Sequence, residues 1–127
     1  MKIFLILIMI LSVACTKELI PNSASDFEYK IENDGVILTG YKGTRTDMVI
    51  PREIEGLPVI EIGESSFDSC HVTGKYTNIN SVVIPNTVKV IGDSAFSSTS
   101  LTKVVIPKSV EVIGNWAFAV TGLTNIR

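Results

Sequence analysis

Residues 79–100 read INSVVIPNTVKVIGDSAFSSTS, and residues 101–122 read LTKVVIPKSVEVIGNWAFAVTG. The two stretches align without a gap, so an Ile-Pro pair, an Ile-Gly pair and an Ala-Phe pair each return after 22 residues. A period of this length is typical of solenoids, in which one coil buries its apolar flanks only against its neighbours. We therefore expect a stack of coils.

An earlier and looser copy of the repeat precedes these two. It contains the same landmarks as Ile50-Pro51, Ile62-Gly63 and Ser66-Phe67, with extra residues within 54–58 and 71–78. Insertions in a solenoid coil are tolerated where the chain faces water, so we expect two surface loops here.

Each coil is expected to begin with a short strand. Alternation directs Val82 and Ile84 inward, and Pro85 ends the strand because proline has no N–H for the ladder. The residues after Gly92 begin with a helix-capping aspartate and end at Phe96, which predicts a single helical turn with the phenylalanine in the coil interior. The glycine suits a left-handed or tight backbone.

A hairpin is expected before the first coil. Residues 27–31 and 36–40 are strand-like and flank Glu32-Asn33-Asp34-Gly35, a turn signal with Asp-Gly. Such a hairpin would cap the open end of the first coil.

The order of strand-proline, Ile-Gly and Ala-Phe resembles the BspA-type leucine-rich repeat proteins of bacterial cell surfaces, over about residues 27–127. The resemblance implies a leucine-rich repeat solenoid of short parallel strands and single helical turns. It also implies a surface protein that binds other proteins, including host matrix proteins and partner cells, and carries no catalytic residues. Cys70 stands where those repeats often have a cysteine, whereas later copies have Thr99 and Thr121.

The N-terminus has the pattern of a secretion signal. Lys2 precedes nine apolar residues, 3–11, and Ser12-Val13-Ala14 then leads to Cys15. This stretch is too short for a transmembrane helix, which needs about 20 residues. Small residues before a cysteine resemble the bacterial lipoprotein processing box, which implies lipidation of Cys15 and retention on a membrane surface. The alternative is an ordinary signal peptide that leaves Cys15 as a free thiol.

These signals divide the chain into four parts. We expect a signal peptide (1–14), a lipidated cysteine and tether (15–26), a hairpin cap (27–44) and a repeat stack of about three coils plus the start of a fourth (45–127). The expected location is the bacterial cell envelope, lipid-anchored and exposed at the surface.

Composition and residue counts argue against several functions. A formal net charge of −2 gives no basic face for nucleic acid. His71 is the only histidine and adjoins Cys70, and neighbouring residues usually point apart, so a Cys-His dyad is not expected. One internal cysteine and one histidine do not make a zinc site. We expect no enzyme activity, no metal and no cofactor.

The outward positions of the strands are the candidate protein-binding residues. They form two expected rows about 4.8 Å apart from coil to coil, consisting of Asp47, Ser81 and Lys103 in one and Val49, Val83 and Val105 in the other. An exposed valine stripe is typical of a protein contact. The alternative is that valine stands there only because β-branched side chains favour strands.

The last coil raises a further set of alternatives. Residues 123–127 begin another strand, and no polar cap follows in the sequence. We expect self-association through Leu123 and Ile126, or a fragment of a longer repeat adhesin. Trp116 replaces Ser94 and is either a binding anchor or a packing residue. The function expected first is a surface-anchored, non-enzymatic binding or adhesion module; a self-assembling structural envelope lipoprotein is the alternative.

Overall fold

A computed structural model describes residues 19–69 and 78–126 of the chain. This part has one 3-10 helix, Ala24–Asp26. Its strands are β1 (Phe27–Glu32), β2 (Gly35–Tyr41), β3 (Asp47–Val49), β4 (Glu53–Ile54), β5 (Leu57–Ile62), β6 (Ser81–Val83), β7 (Val90–Ile91), β8 (Lys103–Val105), β9 (Val112–Ile113) and β10 (Asn125–Ile126). None of the helices in these ranges is long and apolar enough to cross a membrane.

The strands form two ladders that run along the stack. One has the order β1-β2-β5-β7-β9, with β4 paired to β5, and the other has the order β10-β8-β6-β3. All pairs are parallel except β1 with β2 and β4 with β5. Each repeat thus contributes one strand to each ladder, and the predicted stack of coils with short parallel strands is confirmed.

The register of the second ladder follows the 22-residue repeat. Val82 pairs with Val104, and both side chains are buried in the interior together with Ile84. The inward direction predicted from alternation is therefore correct. The segment 54–58, predicted as a surface loop, forms the end of β4 and the start of β5, a small antiparallel hairpin that joins the first ladder through β5.

A column of aromatic rings fills the interior. Phe67 and Phe96 are fully buried, and their ring centroids lie 5.1 Å apart. Phe118 stacks on Phe96 at 5.4 Å, and Phe27 and Tyr41 cover the other side of Phe67 at 6.5 and 6.4 Å. Each coil contributes one phenylalanine, so the column joins the coils into one core.

The hairpin before the first coil differs in its turn from the Asp-Gly turn of the sequence pattern. Glu32 pairs with Gly35, and the two residues between them, Asn33 and Asp34, have φ values of 52° and 58°. Asparagine and aspartate tolerate this left-handed region, and two positive φ values define the type I′ turn of tight hairpins. Gly35 instead begins β2.

The structure does not have the predicted helical turn after Gly92. Residues 93–98 form consecutive turns, and Ser94 and Ser98 have left-handed φ values of 55° and 57°. Their amide N–H groups donate to carbonyl oxygens of the next coil, those of Asn115 and Ala119, both at 2.9 Å. Because these N–H groups bond between coils, they cannot form the bonds within one segment that a helix requires.

The repeated glycine also has a different cause from the one predicted. The only glycine with a positive φ among the described residues is Gly56. At Gly92, a Cβ atom would lie 2.7 Å from the backbone nitrogen of Glu64 and 2.9 Å from the carbonyl carbon of Gly63. At Gly114, an added Cβ atom would likewise lie 2.7 Å from the carbonyl carbon of Gly92. The glycines are therefore needed because the backbones of successive coils come into contact.

Candidate functional site

The six predicted binding residues lie together on the outer face of β3, β6 and β8. The parallel register aligns Asp47 with Ser81 and Lys103, and it aligns Val49 with Val83 and Val105. We call this surface the strand face. It forms one wall of a groove of about 640 Å³, which is also lined by Leu19, Ile20, Arg45, Met48, Asn80, Val82 and Thr102.

The valine row is not equally accessible along its length. Val49 is buried, Val83 is half-buried and Val105 is 40% exposed. Accessibility therefore increases from the first coil to the third. Val83 and Val105, rather than Val49, offer apolar surface to a ligand.

The side chains of the polar row also differ between the first coil and the third. Ser81 Oγ donates a hydrogen bond of 2.7 Å to Asp47 Oδ1, so this carboxylate already has a neighbour on the face. Lys103 is exposed and forms no salt bridge within the described part of the chain. The accessible end of the groove thus combines an apolar valine with a cation.

The N-terminal segment is the part of the groove that the sequence did not predict. Residues 15–26 are expected to form a tether, but from Ile20 onward they contact the domain. The Asn22 N–H donates to the Val49 carbonyl oxygen, and the Val49 N–H donates to Asn22 Oδ1, both at 2.8 Å. A single asparagine thereby provides hydrogen-bond partners for both the N–H and the C=O of Val49 at the edge of β3, and Val49 is buried beside it.

Three further contacts hold this segment in place. Asn22 Nδ2 donates to the Tyr41 hydroxyl at 3.2 Å and to Asp26 Oδ2 at 3.1 Å, and Arg45 Nη1 donates to the Ile20 carbonyl oxygen at 2.9 Å. Burial raises the pKa of Tyr41, which remains a neutral phenol and donates to the Arg45 carbonyl oxygen. Asparagine carries a donor and an acceptor together, but it also favours turns, and in sequence Pro21-Asn22-Ser23 resembles a linker.

Replacing Asn22 by alanine is expected to lower the free energy of unfolding by about 1–3 kcal/mol. The physical reason is that the buried Val49 N–H loses its acceptor. Urea unfolding followed by circular dichroism measures the change. Asn86→Ala is the matched control, because Asn86 is exposed; an equal loss in both variants would contradict this role of Asn22.

The residues weighed for catalysis or metal binding are not among those that the structure describes. Cys70 and His71 lie outside the described residues, as does Cys15. Among the residues that are described, no group of three or more His, Cys, Asp or Glu side chains is placed to hold a metal ion. The Tyr29 hydroxyl donates a hydrogen bond of 2.8 Å to Glu55 Oε2 at the protein surface, and this bond raises the pKa of Tyr29.

The comparisons with known proteins agree with this fold. Residues 73–127 match the family model described as a BspA type leucine rich repeat region. A leucine rich cell surface protein from Faecalibacterium prausnitzii superimposes with a TM-score of 0.63 and 25% identity, covering 84% of this chain and 29% of that protein. A leucine-rich repeat protein from Bacteroides ovatus gives 0.63 and 26%, covering 87% and 29%.

The chain thus spans less than a third of the length of either protein, 29% in both cases. A comparison with the curated proteins gives no match.

Proposed function

The chain is a leucine-rich repeat protein of the BspA type over residues 73–127, and from this premise we propose that it is a non-enzymatic protein-binding module at the bacterial cell surface. Repeats of this family are protein-interaction surfaces. Adhesion to host matrix proteins or to partner cells is the specific role that we propose. This chain is similar to the Faecalibacterium protein, which is a cell surface protein, and this similarity supports a location at the cell surface.

The observation that supports this proposal most is the alignment of the strand face. Side chains from three successive coils form one valine row and one polar row beside a groove. Val105 and Lys103 are exposed at its open end. An apolar contact with a neighbouring charge suits a protein segment, because the apolar part supplies affinity and the charge orients the partner.

We propose that Cys15 carries the lipid and that residues 1–14 are removed as a signal peptide. The seven residue-to-residue steps from Cys15 to Asn22 span at most about 25 Å. Because Asn22 is bound to β3, a lipid on Cys15 would hold the β3 end of the strand face within that distance of the membrane.

The test is binding of the full chain, displayed on bacteria, to immobilised collagen, laminin and fibronectin. We expect Val83→Glu together with Val105→Glu to abolish binding, because two carboxylates would replace the apolar contact. Val112→Glu is the control, since Val112 is 53% exposed in a short strand of the other ladder. Retained binding in the double variant, or equal loss in the control, would exclude the strand face.

The alternative function is a structural envelope lipoprotein that assembles with itself. It was expected to use Leu123 and Ile126. Leu123 is half-buried against the core, and Ile126 lies in β10 in register with Val104. One observation supports the alternative: Trp116, in the preceding coil, is 76% exposed.

A further inference from the structure

The charges of this acidic chain are distributed unevenly between the two ladders. The acidic residues in or next to the strands of the first ladder include Glu28, Glu32, Glu61, Glu64, Asp93 and Glu111. Two lysines lie among them, Lys30 and Lys89, and Lys30 forms a salt bridge of 3.2 Å with Glu32. This side of the molecule is therefore predominantly negative.

The strand face, on the other ladder, has the opposite character. Arg45 and Lys103 line its groove, and Asp47 is the only acid among the residues that do so. Asp47 belongs to the first coil, where Ser81 Oγ donates to its carboxylate. Lys103 stands two strands further along the same row, about 10 Å away. The accessible end of the groove is thus the positive end.

Further cations follow the strands of this face. The repeat places Arg52, Asn86 and Lys108 directly after the Ile-Pro pairs, and all three residues are exposed. Lys103 begins β8 and Lys108 follows its end, with the 40%-exposed Val105 between them in the sequence. Neither lysine forms a salt bridge within the described residues. In the third coil, exposed apolar surface therefore has a cation on each side.

This local charge, and not the net charge of the chain, is what a partner at the strand face meets. Exposed charges separated by more than about 8 Å are largely screened at physiological salt, and the buried core separates the two ladders. Carboxylates complement the lysines, and apolar side chains complement the valines. The five steps from Lys103 to Lys108 span at most about 18 Å, which is the reach of a short extended segment.

The pattern favours a protein segment over a sulfated glycan. A glycan supplies anionic groups for the lysines but no apolar side chain for Val105. In addition, none of the residues that line the groove has an aromatic ring on which a sugar could stack.

We propose that the strand face binds an acidic protein segment, with carboxylates at Lys103 and Lys108 and apolar side chains on Val83 and Val105. The inference rests on the proposed function, because it names the chemistry of the partner for the same surface. It applies to an acidic segment of a matrix protein and equally to one from another source.

The test uses bacteria that display the full chain and beads that carry a synthetic peptide, a Leu-Val pair between two pairs of glutamates. Many copies on each bead make a weak single contact measurable. One comparison peptide has glutamine in place of glutamate, and another has serine in place of the Leu-Val pair. We expect capture of each comparison peptide to be lower by about fivefold or more, because one lacks the charges and the other lacks the apolar contact. Bacteria without the chain give the background.

A pair of double variants assigns the effect to the strand face. Lys103→Gln together with Lys108→Gln is expected to reduce capture of the acidic peptide to the level of the glutamine peptide. Lys30→Gln together with Lys89→Gln is the matched control, because it removes two exposed lysines from the side of the first ladder. No capture of the acidic peptide, equal capture of the glutamine peptide, or equal loss in the two double variants would overturn the proposal. Equal capture of the serine peptide would also overturn it, in favour of a polyanion such as a sulfated glycan.

The same variants separate this inference from matrix adhesion when they are tested on collagen, laminin and fibronectin. Capture of the acidic peptide without binding to any of these proteins would reject matrix adhesion and support the acidic partner. Matrix binding that requires Val83 and Val105 but is unchanged by loss of Lys103 and Lys108 would support adhesion and overturn the acidic partner.

Discussion

Replacing Phe96 by alanine is expected to lower the free energy of unfolding by about 3–5 kcal/mol. The ring is fully buried and lies between Phe67 and Phe118, with centroids 5.1 and 5.4 Å away. Its removal leaves a cavity between two coils that are fixed by backbone hydrogen bonds and cannot close on it. Urea unfolding by circular dichroism measures the loss.

Trp116→Ala is the matched control for Phe96. It removes an aromatic ring from the same corner of the next coil, but a ring that is 76% exposed. Its effect on the free energy of unfolding is expected to stay within about 0.5 kcal/mol. If Phe96→Ala cost no more than this control, the aromatic column would not be the core of the stack.

Replacing Gly92 by alanine is expected to cost about 3 kcal/mol of stability. The added Cβ atom would lie 2.7 Å from the backbone nitrogen of Glu64, and backbone atoms cannot move aside as a flexible side chain can. The coils would have to separate locally, which lengthens the hydrogen bond of 2.7 Å from the Gly92 N–H to the Ile62 carbonyl oxygen. The free energy of unfolding in urea measures this effect.

Gly122→Ala provides the comparison within the same chain. At Gly122 the nearest heavy atoms to an added Cβ are 3.5 Å away, an ordinary contact. We expect a change in stability of about 0.5 kcal/mol or less. A similar loss in both variants would mean that glycine is required for its flexibility and not for the close approach of coils.

The stack could be predicted from the sequence because its signals are periodic. A repeat of 22 residues fixes which positions meet in neighbouring coils, so the pairing of Val82 with Val104 and the two rows of the strand face follow from counting along the chain. Pro85 indicates where the strand ends, and the side chains alternate before it.

The turns at residues 93–98 were predicted wrongly as a helical turn because several of their hydrogen bonds join two coils. Asp93 to Phe96 has the residues of a helix start, but the N–H groups of Ser94 and Phe96 donate to the next coil. A sequence pattern indicates local bonding, whereas these bonds join residues that are 21 positions apart. The requirement for Gly92 is likewise set by the neighbouring coil.

The burial of Val49, at the first-coil end of the strand face, could not be predicted for a related reason. The burial of Val49 depends on Asn22, which is distant in sequence and belongs to no repeat. No periodic signal connects the two residues. A contact between a linker-like segment and a strand edge is visible only in three dimensions.

The proposed function has its most direct test in site-specific photo-cross-linking. A benzophenone amino acid would replace Val105 or, in a second variant, Val112, which have similar exposures of 40% and 53% on different ladders. Bacteria that display the full chain would be irradiated on collagen, laminin and fibronectin. We predict a covalent adduct with a matrix protein from position 105 and none from position 112. Adducts from position 112 alone, or from neither position on any of the three proteins, would contradict binding of these matrix proteins by the strand face.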